Sequence, residues 1–243
     1  MTDDFELAVQ QLIDRVDPGV KDVVLHDLRE LRESGVSSWP DLVAVLGDPS
    51  AAQNRAMACW LLARLKDPRA FDPLLSALHD PDPSLRAEAA RSLGVLADRR
   101  AVPELLAALQ TDVDLETRVA AAHALGHLGD HRSVDGLLAR LADQNEDPRI
   151  RGTAAEALTG VQERRAVPLL ISALDDPSVE VRFWAAFALG QFGDLAALSA
   201  LERLARTDDA VLPGWWSVKE EAAAAIEAIT ATCTRLTVDP PGG

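Results

Sequence analysis

The stretch Asp176–Asp194, DPSVEVRFWAAFALGQFGD, carries the signals of a single helix. Asp176, Pro177 and Ser178 supply a helix-starting turn, and Arg182 stands near the start. Ala185, Ala186 and Leu189 fall at helical spacing, and Gly190 and Gly193 read as its stop. Phe183, Trp184 and Phe187 crowd a helix built otherwise on Ala and Leu. The same pattern recurs along the chain. RAMACWLLARL from Arg55, RAEAARSLGVLAD from Arg86, RVAAAHALGHLGD from Arg118 and RGTAAEALTGVQE from Arg151 align with RFWAAFALGQFGD from Arg182, at Arg-to-Arg spacings of 31, 32, 33 and 31 residues. A degenerate sixth copy, KEEAAAAIEAI, starts at Lys219. Self-similarity at this period is the signature of stacked helical hairpins.

Each unit follows one grammar. A first helix carries Pro in its first turn, at Pro40, Pro73, Pro103 and Pro168, where the missing N–H and fixed φ do no harm. A turn containing Asp follows, and a second helix then runs from near the Arg to glycines at Gly94, Gly126 and Gly129, and Gly190 and Gly193. Ala pairs (Ala89-Ala90, Ala121-Ala122, Ala154-Ala155, Ala185-Ala186) let second helices approach closely, and Leu93, Leu125, Leu158 and Leu189 fill the space between layers. The fold expected is all-α: a right-handed alpha-alpha superhelix, a solenoid of about six helical hairpins. Residues 1–38 read as an N-terminal helical cap with a Pro18-Gly19 break, 39–232 as the repeat solenoid, and 233–243 as a tail ending in VDPPGG, expected to be disordered.

Composition narrows the function. Of 243 residues, 48% are hydrophobic and 4% aromatic, and the formal net charge of −15 opposes binding to phosphate backbones, so no nucleic acid is expected. No apolar run approaches the ~20 residues that span a bilayer, so no membrane partner is expected. The acidic MTDDFELAVQQ is not a signal peptide, and a cytoplasmic location is expected. Cys59 and Cys233 lie far apart in Ala-rich helices and read as buried free thiols. No phosphate-binding loop, dinucleotide fingerprint, nucleophile elbow or HExxH motif is present, so no catalytic residues are assigned.

Proline-led first helices, Asp-Pro turns and an Arg six residues after an Asp (Asp80 with Arg86, Asp112 with Arg118, Asp176 with Arg182) resemble HEAT repeats over about residues 39–229. The short, Ala-rich form is similar to the bilin-lyase-like HEAT subfamily. The resemblance implies that these Asp and Arg side chains hydrogen-bond across successive repeats. Asn145 replaces the Asp in the fourth repeat and Asp48 is displaced by one residue in the first. HEAT-like deoxyhypusine hydroxylases carry His-Glu pairs after the ladder Arg; this sequence has none, which argues against that iron chemistry. The resemblance also implies an inner face lined by second helices.

Counting from the ladder Arg, offsets +1, +2, +5 and +9 are expected to point to that face. They yield the expected partner-binding set: Trp60, Glu88, Arg91, His123, Glu156, Phe183, Trp184 and Phe187. Six of the ten aromatic residues lie within Phe183–Trp216. They form either an exposed hot spot or a layer covered by the Trp215-Trp216 loop. His123, His127 and His131 have helical spacing, but Gly126 and Gly129 are expected to end the helix and leave His131 in the loop. No metal and no cofactor are assigned. The expected function is a non-enzymatic scaffold for a protein partner, whose docking the acidic exterior would help if it is basic, with a bilin- or tetrapyrrole-handling lyase as the alternative.

Overall fold

The computed structural model describes the backbone of residues 3–15, 21–33, 35–50 and 52–238, without the side chains of 3, 4, 15, 21–23, 27, 52, 53 and 233–238. The Pro18-Gly19 break, the Cys233 thiol and residues 239–243 of the expected tail lie outside the described residues. The described chain is all α: α1 Asp3–Arg15, α2 Lys21–Glu33, α3 Trp39–Gly47, α4 Ala52–Leu65, α5 Phe71–Ala77, α6 Pro83–Leu96, α7 Val102–Thr111, α8 Leu115–Leu128, α9 Val134–Ala142, α10 Pro148–Val161, α11 Val167–Ala173, α12 Val179–Phe192, α13 Leu198–Thr207 and α14 Val218–Val238. None of the described helices is long and apolar enough to cross a membrane. α14 carries helix six residues into the segment read as tail.

The chain forms two compact units, Met1–Ala124 and Leu125–Gly243. In the first, α3 pairs with α4 and α5 with α6, α4 lies against α6, and α1 and α2 contact α4. In the second, α9 pairs with α10, α11 with α12 and α13 with α14, while α10, α12 and α14 pack in succession. Five first helices are preceded by one turn of 3-10 helix, which sequence reasoning did not anticipate. Each such turn opens on an acid, Asp67, Asp98, Asp130, Glu163 or Asp194, whose carboxylate accepts the N–H two residues on.

The ladder is present within both units. Arg86 donates through Nε and Nη2 to the two oxygens of Asp112, both at 2.8 Å, and through Nη1 to the Asp80 carbonyl at 3.0 Å. Arg151 grips Asp176 at 3.2 and 2.9 Å and Arg182 grips Asp208 at 2.6 and 3.4 Å; Arg55 holds Asp80 in the same way. Each of these carboxylates also accepts the backbone N–H two residues ahead, so one Asp shapes its own turn and ties it to the preceding repeat. At the two irregular positions the Arg donates to other carbonyls, Arg55 to Leu46 and Arg151 to Glu146. Arg151 and Asp176 are nearly sealed from water. Removing one partner of such a pair costs about 3–5 kcal/mol, because the other charge is left stranded.

The glycines correct the sequence reading. Gly94, Gly126 and Gly190 do not end helices; they lie inside α6, α8 and α12. A Cβ on Gly94 would sit 2.8 Å from the Ala124 Cα, one on Gly126 2.8 Å from the Ala157 Cα, and one on Gly190 2.9 Å from the Ala225 Cα. They are the points where one second helix touches the backbone of the next. The stop comes three residues later, at Lys66, Ala97, Gly129, Gln162 and Gly193, all with φ between +56° and +64°. Gly129 and Gly193 are stops as the sequence indicates, whereas Lys66, Ala97 and Gln162 carry no glycine signal for the same backbone. The Ala pairs and the recurrent Leu93, Leu125, Leu158 and Leu189 are fully buried, as the spacing required. Cys59 is buried, which pushes its thiol pKa up to about 12 and keeps it protonated.

Two exchanges of the same residue types should therefore move stability in opposite directions. Gly126→Ala, although it raises helix propensity, should destabilise by about 1–3 kcal/mol through backbone overpacking. Ala97→Gly should stabilise by up to ~1 kcal/mol by relieving the left-handed strain. Thermal unfolding of the two variants reads both signs.

Candidate functional site

The densest cluster of chemically distinctive side chains lies in the second unit, where α12 meets the loop before α14. That loop is built by local signals. Leu212-Pro213-Gly214-Trp215 is a turn closed by the Trp215 N–H on the Leu212 carbonyl at 2.9 Å, with Gly214 at φ +86°, the backbone that a Pro-Gly type II turn demands. The Val218 N–H reaches the Ala210 carbonyl at 2.8 Å and the Lys219 N–H the Asp208 carbonyl at 2.9 Å. Ser217 and Glu220 form a reciprocal cap: Ser217 donates its N–H and Oγ–H to the Glu220 carboxylate at 2.8 and 2.6 Å, and the Glu220 N–H returns to Ser217 Oγ at 3.3 Å. Trp215 and Trp216 are thus held on a pinned segment.

The rings interlock, four pairs edge to face and two, Phe183 with Trp215 and with Trp216, tilted. Phe183 lies 5.3 Å from Trp184, 5.6 Å from Trp215 and 6.0 Å from Trp216, centroid to centroid. Trp184 stands 5.6 Å from Phe187 and 5.2 Å from Trp215, and Trp215 5.5 Å from Trp216. Such pairs add about 0.5–1.5 kcal/mol each beyond the area they bury. Phe183 is 0% exposed, Trp184 and Phe187 are half-buried, and Trp215 and Trp216 are each 47% exposed. Phe183 is therefore a correction: it is core beneath the loop and no docking anchor. The reason is helical phase. Offset +1 lies seven residues before offset +8, the slot of Gly190, so both face α14. Offset +2 is turned away from that seam, and Trp184 keeps one side open.

Trp184 also leans on a neighbour reduced to hydrogen. A Cβ on Gly152 would lie 3.0 Å from Trp184 Cδ1 and 3.1 Å from Glu180 Cγ, so Gly152 opens the space in which the indole and the Glu180 side chain rest. Burial pushes the carboxyl pKa of Glu180 up. At the other end, Glu221 is buried behind Trp216 and accepts its indole N–H at 2.8 Å; burial likewise raises the Glu221 pKa, against the opposing effect of that hydrogen bond.

The remaining expected contacts are placed as follows. In the first unit Trp60 is half-buried, with the Arg64 guanidinium 4.7 Å from its ring centroid. Arg91, exposed, donates to half-buried Glu88 at 3.1 Å, and His123 is half-buried on α8. In the second unit Glu156 is half-buried on α10, with its carboxyl pKa raised by burial. His127 lies exposed in the last turn of α8 and His131 in the 3-10 turn beyond it. Among the described residues no group of three or more His, Cys, Asp and Glu side chains could hold a metal ion. Gly152, Glu180 and Glu221 were missed from sequence. No local pattern in the sequence points to them, since each is defined by a contact with a residue on another helix or loop.

The model for HEAT repeats matches residues 71–149 and 141–227. The chain belongs to the HEAT-repeat family. The PBS lyase HEAT-like repeat model also matches residues 55–80. Among curated proteins, the phycocyanobilin lyase subunit alpha of Microchaete diplosiphon is 43% identical over 65 residues, 23% of this chain and 22% of the relative. The chain thus aligns with about a quarter of the length of the curated relatives it matches. Among solved structures, the CpcE–CpcF complex of phycocyanin lyase from Nostoc sp. PCC7120 aligns over 92% of this chain and 94% of its own, with 23% identity and a TM-score of 0.50. A designed armadillo repeat protein in complex with the peptide (KR)4 aligns over 79% and 100%, with 20% identity and a TM-score of 0.52. These structural likenesses show the solenoid fold.

The raised pKa of Glu221 yields a test with a defined sign. Because burial disfavours its charged form, Glu221 weakens the fold once pH rises through its elevated folded pKa, and does no harm below the ordinary value of 4.5. Glu221→Gln keeps an acceptor for Trp216. It should raise the melting temperature at neutral pH, with the gain vanishing as the solution is acidified below 4.5.

Proposed function

We propose that this protein is a non-enzymatic binding scaffold, and that the aromatic face of Trp184, Phe187, Trp215 and Trp216 is where a protein partner docks. The observation that carries this reading is the combination of half-exposed indoles with a segment already fixed by a turn, a capping box and backbone hydrogen bonds. Large aromatic side chains held in their bound form lose little entropy on association and dominate binding energy. A net charge of −15 favours a basic partner. The designed neighbour described in complex with (KR)4 illustrates a peptide ligand on this fold class. Glu88, Arg91, His123, Glu156 and Trp60 are proposed as further polar and ring contacts, with Phe183 supporting the face from beneath. In the same reading, residues 1–38 cap α4, residues 39–232 form the repeat body, and the protein works in the cytoplasm.

A second reading is favoured by one observation, the 43% identity to a phycocyanobilin lyase subunit over 65 residues. In it the protein handles a bilin or a related tetrapyrrole. Mixing the purified protein with phycocyanobilin separates the two: a shifted, stoichiometric visible spectrum supports pigment handling, and an unchanged one supports the scaffold.

The scaffold reading predicts that Trp215→Ala together with Trp216→Ala lowers affinity for the native partner by at least tenfold, since hot-spot aromatics carry about 2 kcal/mol or more each. Circular dichroism should remain that of the wild type. Unchanged capture of the partner by a folded double variant would remove this face as the contact.

A further inference from the structure

Aromatic rings in this protein are treated in two ways. In the first unit, Trp39, Trp60 and Phe71 each carry a guanidinium from their own chain: Arg69 at 4.7 Å, Arg64 at 4.7 Å and Arg100 at 3.9 Å from the ring centroid. In the second unit, among the described residues, the rings of Trp184, Trp215 and Trp216 pack on one another and on Phe183 and Phe187, and no guanidinium is stacked over them. They are nevertheless flanked by carboxylates, Glu180 beside Trp184 across Gly152 and Glu221 behind Trp216. Arg149 acts on Glu180 from α10, but no guanidinium covers the indole faces, and indole faces with carboxylates at both ends form an electrostatic surface that attracts a cation.

We propose that this face binds arginine side chains of a basic protein segment, with guanidinium planes laid on the indoles of Trp184, Trp215 and Trp216 and with Glu180 and Glu221 as counter-charges. The inference rests on the scaffold reading and gives the chemistry of its partner. Arginine fits better than lysine because its guanidinium is planar, weakly hydrated and able to stack, whereas an ammonium holds its water tightly. A second copy of this chain is a poor occupant, since two bodies of charge −15 repel. The raised pKa values of Glu180 and Glu221 agree with this occupant: burial outweighs the attraction of Arg149 at Glu180, where Asp147 adds to the rise, and the Trp216 hydrogen bond at Glu221, so an incoming cation stabilises the charged forms of both. Binding should therefore weaken as the solution becomes acidic enough to protonate them.

The test titrates the full-length protein at physiological salt with three short peptides of equal length: alternating Arg-Ala, alternating Lys-Ala and alternating Leu-Gln. The readout is the indole N–H signals of its tryptophans. The Arg-Ala peptide is expected to move the signals of Trp184, Trp215 and Trp216 and to bind severalfold tighter than Lys-Ala. Trp215→Ala with Trp216→Ala should weaken it about tenfold, and the milder Trp215→Phe, which keeps a ring, by less. If Lys-Ala binds as tightly, or the double variant binds Arg-Ala as the wild type does, bulk negative charge is responsible and the proposal falls. If Leu-Gln moves the same signals and Arg-Ala does not, the proposal falls but the docking face stands. If no peptide moves them, both readings fall.

Discussion

Second helices in this protein meet through backbone. At Gly94 against Ala124, Gly126 against Ala157 and Gly190 against Ala225, a methyl group would already be too large. That contact fixes the rotation of each second helix about its own axis, because only one row of side chains can be small enough to allow it. Offset +4 is buried in all five repeats, offset +8 holds the seam glycines, and offset +5 keeps an open side in every repeat. The ladder locks the same register from the helix starts: Arg86 spans from the turn of its own repeat to the Asp112 carboxylate of the next and Arg182 likewise to Asp208, and each carboxylate organises the following turn. Seam and ladder together make the position of a surface side chain depend on packing far from it.

At the end of α12 the seam has an unusual neighbour. The +1 slot holds Phe183 where other repeats place Ala, Val or Gly, and the longer segment before α14 folds two tryptophans over it. Covering one ring leaves others uncovered. Trp184 and Phe187, on the adjoining rows, keep an open side, and the covering tryptophans are themselves half in water. An apolar layer that ends in partly wet indoles on hydrogen-bonded backbone is the feature on which the proposed docking face rests. The two carboxylates at its ends carry a desolvation penalty that a cationic partner would offset.

The repeat, the ladder pairs and the buried Ala and Leu rows were legible in the sequence because each depends on spacing within a unit or on an offset that recurs. Three things were not. The role of Gly126 depends on Ala157, one repeat away, and no local rule distinguishes a seam glycine from a helix stop. The true stops include Lys66, Ala97 and Gln162, residues that carry no sign of the left-handed conformation they adopt. Phe183 was placed with Trp184 because the Ala and Leu rows alone were used to set the helical phase. Gly190 at offset +8 would have corrected it. Trp215 and Trp216 were visible as a pair, and the Pro-Gly turn and the Ser-to-Glu cap around them could have been read from the letters, but Glu221 behind Trp216 could not.

Hydroxyl-radical footprinting of the native protein, read residue by residue by mass spectrometry, tests the seam-and-surface arrangement most directly. The account predicts rapid oxidation at Trp215 and Trp216, intermediate rates at Trp184 and Phe187, and protection at Phe183. Oxidation of Phe183 as fast as Trp215, or equal protection of all five rings, would contradict it.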